Sequence, residues 1–148
     1  MMNYAIILAA AGISRFGWQN KITHYFGIDE LTPAAGQGLL AIECRKEDEE
    51  KLKPILSAFI DEKAMLRSRA ERAFLEILQG GCQTPMAVYA EVSDKDIILH
   101  SYIGSPDGKE TIRNLHTGSL NKPEELGKEA ADTILEMGGD KLIAKQSE

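Results

Sequence analysis

Cys82 sits where a chain displays a reactive side chain. It lies in the run Gly80-Gly81-Cys82-Gln83-Thr84-Pro85, directly after an amphipathic helical pattern from Ala64 to Gln79. Two glycines release the backbone from the helix and the proline fixes the exit, which presents the thiol on a short loop. A thiol so placed can act as a nucleophile or hold a covalent attachment. The same local pattern also suits a helix C-cap followed by a small buried cysteine. Use of Cys82 as a redox thiol ranks last, because no resolving cysteine lies at short spacing and no basic residue adjoins it to lower the thiol pKa. The other candidates are weaker. His24, His100 and His116 are isolated and lack metal-ligand spacing, so solvated or locally bonded imidazoles are expected and no metal site. Gly36-Gln37-Gly38 lacks the further glycine and the lysine of a phosphate loop. Cys44 falls in an apolar pattern and reads as a small core residue, and the acidic run Glu47 to Glu50 reads as a solvated helix start.

The elements that must position Cys82 follow from periodicity. Across Ala64 to Gln79, Met65, Leu66, Ala73, Phe74, Ile77 and Leu78 fall largely on one side, with Arg67, Arg69, Glu71, Arg72 and Glu76 elsewhere. Three strands follow the thiol: Met86 to Val92, Ile97 to Ile103 and Glu110 to His116, joined by the turn-rich stretches Ser93-Asp94-Lys95-Asp96 and Ser105-Pro106-Asp107-Gly108. Pro123-Glu124-Glu125 opens a last helix with Leu126, Ala130, Ala131, Ile134, Leu135 and Met137 at helical spacing, stopped at Gly138-Gly139. The fold class expected is α+β, a three-stranded antiparallel sheet packed with two helices. Upstream, Tyr4 to Ala10 reads as a buried strand leading into a helix or loop with Arg15. Pro33 to Gly38 reads as a linker or hinge, Leu39 to Cys44 as a second apolar strand, and Glu47 to Phe59 as a helix that Pro54 interrupts or kinks.

Composition bounds the partners. The chain has 148 residues, 43% apolar and 27% charged, which suits a globular domain with a core. A net charge of −6 lacks the basic face that phosphates demand, so neither a nucleic acid nor a membrane surface is expected as partner. The apolar run Tyr4 to Gly12 is too short to span a bilayer, and two cysteines without paired spacing suit a reducing cytoplasm.

Taken as Ala70-Glu71-Arg72-Ala73-Phe74-Leu75 and then Gly80-Gly81-Cys82-Gln83-Thr84-Pro85, the central segment resembles the signature of the porphobilinogen deaminase (hydroxymethylbilane synthase) family. Ile6-Ile7-Leu8-Ala9-Ala10-Ala11-Gly12-Ile13-Ser14-Arg15-Phe16-Gly17 is similar to that family's Leu-Ala-x-Ala-Gly-Leu-x-Arg segment. Pro33-Ala34-Ala35-Gly36-Gln37-Gly38, followed by Ala41-Ile42-Glu43-Cys44-Arg45, is similar to its Pro-Ala-x-Gly-Gln-Gly segment. The departures are mild: Thr84 stands where an apolar β-branched residue is usual, and Ser14 where a longer side chain is usual.

The resemblance implies the C-terminal half of a three-domain enzyme. Residues 1–59 would be a remnant of its second and first α/β domains with a hinge near 32–39, and residues 60–148 the C-terminal α+β domain that anchors the cofactor. It implies that Cys82 carries a covalent dipyrromethane through a stable thioether. Arg15 would pair with carboxylates of the pyrroles, and Gln37 and Gly38 would offer an amide side chain and an uncovered backbone N–H to the same groups. The partners implied are porphobilinogen and linear oligopyrroles. The catalytic aspartate and most carboxylate-binding arginines would lie in the other half, so this chain alone is expected to be inactive, with a free Cys82 and no attached cofactor. Its unpaired N-terminal strands are expected to self-associate. A non-catalytic α+β binding or assembly module that keeps the fold without the site is the competing reading.

Overall fold

Residues 4–78 and 85–144 are described in the computed structural model, and the chain divides into two compact units, Met1–Leu31 and Thr32–Glu148. In the first unit, Tyr4 to Ala9 forms neither helix nor paired strand, and a short helix α1 (Ala10–Arg15) follows. The buried strand read from Tyr4 to Ala10 is therefore corrected: Tyr4, Ile6, Ile7 and Leu8 are 59–83% exposed. An apolar run shows what a core could accept, but here its side chains stay largely in water. Beyond α1 the Phe16 and Trp18 rings stack with centroids 5.4 Å apart, and Lys21 Nζ lies 4.5 Å from the Trp18 ring centre. Glu30 closes the unit locally, accepting from the Gly27 N–H at 2.9 Å and meeting His24 Nε2 at 3.2 Å. These hydrogen bonds, that from Gly27 foremost, hold its carboxyl below the usual range. The apolar side chains of this unit, among them Ile6, Ile13, Trp18, Ile22 and Phe26, line a groove of about 520 Å³.

The second unit begins with two turns. Gly36 and Gly38 adopt φ +75° and +83°, the left-handed region that glycine enters without steric cost. Leu39 to Cys44 carries no strand, another departure from the sequence expectation. Leu40 is 94% exposed, and Cys44, read as a core residue, is exposed as well. The helix read from Glu47 to Phe59 is in three pieces, a 3₁₀ turn at Lys46–Asp48, α2 (Glu49–Leu56) and a second 3₁₀ turn at Ser57–Phe59. Pro54 stands inside α2, where it cannot donate to the carbonyl one turn before it, and the helix ends two residues later.

From Asp61 onward the pattern closes on itself. The Asp61 carboxylate accepts from the Ala64 N–H at 3.0 Å and caps α3 (Glu62–Leu78). Strands β1 (Met86–Val92), β2 (Asp96–Gly104) and β3 (Thr111–Ser119) form an antiparallel meander in the order β1-β2-β3, with Tyr89 opposite His100 and His100 opposite Leu115. At the first hairpin Ser93 Oγ donates to Asp96 Oδ1 at 2.6 Å. At the second Ser105 Oγ donates to Asp107 Oδ1 at 2.7 Å, and Gly108 takes φ +70°. Helix α4 (Pro123–Glu136) has proline in its first turn with Glu124 and Glu125, which favours the positive end of its dipole. The helix ends before Gly138-Gly139 as expected, but Gly139 starts a further short helix, α5 (Gly139–Ala144).

The core lies between one face of the sheet and α3 with α4. Val88, Ala90, Ile97, Leu99 and Ile103 point into it from the strands, Ala70, Phe74 and Leu78 from α3, Leu126, Ala130, Ala131 and Ile134 from α4, and Leu142 from α5. Met65 and Met137, placed on the apolar sides by periodicity, are exposed instead. Across the two helices Arg69 forks onto Glu124, Nε to Oε1 at 2.5 Å and Nη2 to Oε2 at 2.9 Å. The Arg69 hydrogen bond lowers the Glu124 carboxyl, and the same bond raises Arg69. Half-exposed pairs of this kind contribute little to stability, so packing sets the distance between the helices. That packing is tightest at Gly127, where a Cβ would come within 2.2 Å of the Ala70 carbonyl oxygen. Gly127→Ala is therefore expected to destabilise the protein by about 1–3 kcal/mol through overpacking, outweighing the roughly 1 kcal/mol by which alanine favours a helix. A lowered thermal midpoint checks this, and an unchanged or raised one would contradict it.

Candidate functional site

The four residues singled out by sequence fall in different places. Arg15 is exposed in the last turn of α1, in the first unit. Gln37 and Gly38 are exposed on the turns that open the second unit. Cys82 lies outside the described residues, four positions beyond the last residue of α3. Among the described residues no group of three or more His, Cys, Asp or Glu side chains could hold a metal ion. The histidines are bonded locally: His24 to Glu30, His100 Nε2 to Glu91 at 3.1 Å, and His116 Nδ1 to Asn114 at 2.9 Å.

Around Gln37 the structure assembles residues that periodicity had put on a polar face. Glu71 is only 1% exposed, and its carboxylate accepts three hydrogen bonds. Arg67 Nε and the Ala90 N–H donate to Oε1 at 2.7 and 3.0 Å, and the Gly36 N–H donates to Oε2 at 2.7 Å. A buried carboxylate needs such donors, because each lone pair left without one costs the group its hydration for nothing in return. Arg67 places a second donor nearby: Nη2 reaches the Gln37 carbonyl at 2.6 Å, and the guanidinium lies 4.0 Å from the Tyr89 ring centre. Ala35 packs against the core beside them. Glu71 and Arg67 sit at i and i−4, a spacing that signals an ion pair on a helix, but nothing local signals that this pair is buried.

The turn itself is closed by Gln37 N–H to the Ala34 carbonyl and Leu39 N–H to the Gly36 carbonyl, each at 3.0 Å. With the Gly36 N–H and the Gln37 carbonyl also committed, the Gln37 side-chain amide and the Gly38 N–H are left without a partner among the described residues. Both can donate to an anion. Donors of this kind suit a carboxylate.

Two family models match the chain. Residues 2–53 match "Porphobilinogen deaminase, dipyromethane cofactor binding domain", and residues 65–136 match "Porphobilinogen deaminase, C-terminal domain". Among curated relatives, the porphobilinogen deaminase of Geobacillus kaustophilus is 46% identical over 142 residues, covering 95% of this chain and 45% of its own length. That of Bacillus subtilis is 46% identical over 141 residues, covering 94% and 44%. That of Staphylococcus aureus is 45% identical over 146 residues, covering 97% and 46%. The chain thus spans somewhat less than half the length of the curated relatives it matches. Arg15, Gln37 and Gly38 fall within the first matched model and Cys82 within the second.

The exposure of Cys44 changes what thiol chemistry should reveal. Cys44 is expected to react with a thiol reagent in the native protein at a rate close to that in denaturant, so that peptide mapping finds it labelled within the first minutes. Protection of Cys44 until the protein unfolds would contradict its position here.

Proposed function

Because this chain belongs to the porphobilinogen deaminase family, we propose that it forms the C-terminal, cofactor-anchoring portion of a hydroxymethylbilane synthase, the transferase that joins four porphobilinogen units head to tail with release of ammonia. The observation that carries the reading is identity of 44–47% with relatives such as those of Geobacillus, Brevibacillus and Bacillus subtilis over 94–97% of the chain, a span that includes both the Arg15 segment and Cys82. The family's cofactor is dipyrromethane. Cys82 is its covalent anchor, holding it by a thioether that does not turn over. When bound, the cofactor supplies the terminal pyrrole on which the growing chain is extended. Arg15, Gln37 and Gly38 orient its carboxylates, the guanidinium by paired hydrogen bonds and the turn by an amide side chain and a backbone N–H. The acid at the reacting pyrrole comes from outside these 148 residues. The work belongs to porphyrin and heme biosynthesis in the cytoplasm. Among the described residues no helix is long and apolar enough to cross a membrane.

The test is reconstitution. The purified 148-residue chain is expected to form no hydroxymethylbilane from porphobilinogen, because positioning and charge stabilisation are both incomplete. Adding the N-terminal part of the Bacillus subtilis relative that this chain does not match is expected to restore turnover, and Cys82→Ser to abolish it. Turnover by the chain alone, or a reconstituted activity indifferent to Cys82, would overturn the reading.

The exposed apolar run Tyr4 to Leu8, with Leu40 and Ile42, also makes this chain self-associate when no other polypeptide covers those residues. Light scattering at micromolar concentration is expected to find a dimer or larger species. A strictly monomeric chain would contradict it.

A further inference from the structure

Glu71 and Arg67 take no part in the chemistry assigned above, and their geometry exceeds what the fold alone asks of them. We propose that they are positioning residues, a buried latch that fixes the Ala34–Gly38 turn to α3 and β1 and so sets where Gln37 and Gly38 meet a pyrrole carboxylate. The proposal rests on the functional reading above for the identity of that ligand. Three separated stretches meet on one carboxylate: residue 36, thirty-five positions upstream, residue 90, nineteen downstream, and Arg67 one helical turn away. Satisfying the N–H of Ala90 on the edge strand β1 would need neither Gly36 nor Gln37. Arg67 then extends the latch from one backbone group of the turn to two, because its planar fork can hold the Glu71 carboxylate and the Gln37 carbonyl at once while lying on Tyr89. The bonds to Gly36 N–H and Gln37 carbonyl leave the adjoining donors, the Gln37 amide and the Gly38 N–H, on a backbone held from both sides. The latch also joins the two stretches that match separate family models, since Gly36 and Gln37 lie in the first and Arg67, Glu71 and Ala90 in the second.

Amide hydrogen exchange of the whole chain tests this with Arg67→Met, Glu71→Gln and the double variant. Arg67→Met keeps the apolar stem and removes the guanidinium. Each single variant is expected to speed exchange of residues 34–39 by at least about tenfold, the loss of a hydrogen bond to a charged group. The double variant should be no faster than the faster single one, because the pair acts as one unit. Amides of residues 97–103 in β2 should keep their protection. Unchanged exchange at residues 34–39, a rise shared by β2, or strictly additive effects would overturn the latch; should Glu71→Gln not fold, Arg67→Met alone decides. In the reconstituted assembly, Arg67→Met is expected to raise KM for porphobilinogen at unchanged occupancy of Cys82. A loosened turn with unchanged KM would refute positioning while leaving the family reaction in place. If wild-type reconstitution itself gives no turnover, the functional reading fails and exchange still judges the latch.

Discussion

A carboxylate with almost no access to water must be surrounded by donors, and Glu71 draws its donors from three parts of the chain. Much of the second unit depends on that demand. Helix α3 must run close enough to β1 for an N–H of the edge strand to reach the carboxylate, which also gives that N–H the partner an edge otherwise lacks. The turn at residues 34–38 must fold back to deliver the Gly36 N–H, and its two glycines with positive φ make that path available. Arg67 supplies the opposite charge beside the buried carboxylate, with its Nε donating to Glu71 Oε1.

The contrast with the rest of the chain is one of closure. From Asp61 to Ala144 a sheet covered on one face by two long helices buries Phe74, Ile97, Leu99, Ile103 and Ile134 completely. Before Asp61 the helices have only six and eight residues, too short to stand without packing, and no strand ladder forms among the described residues. Apolar side chains such as Ile6, Leu40 and Phe59 stay in water there. The family relatives are more than twice as long as the stretch they share with this chain, which accords with segments whose apolar residues find no core among their own neighbours.

Most of the C-terminal fold was legible in the sequence, because its signals are local. Strand β1 falls at Met86–Val92 as its alternation indicates, and β2 and β3 differ from expectation only at their ends. Asp61, Pro123 and the Ser-Asp turns mark boundaries by side-chain chemistry that acts within four residues. Of the candidate site, the sequence pointed to Arg15, Gln37, Gly38 and Cys82 through motifs. It missed Arg67 and Glu71, since a charged pair at helical spacing looks the same whether it is solvated or buried.

What the sequence determined by itself is therefore the set of elements after Asp61, the turns between them and the family, each written in spacing along the chain. Only the tertiary structure decided which of those spacings find a partner. Tyr4 to Ala9 and Leu39 to Cys44 have the composition of buried strands and are largely exposed, because burial needs close packing against the rest of a core and no strand ladder forms there among the described residues. Glu71 has the composition of a surface residue and is buried, because donors thirty-five positions upstream and nineteen downstream converge on it. Periodicity states what a residue could face, and contacts between distant parts of the chain determine what it does face.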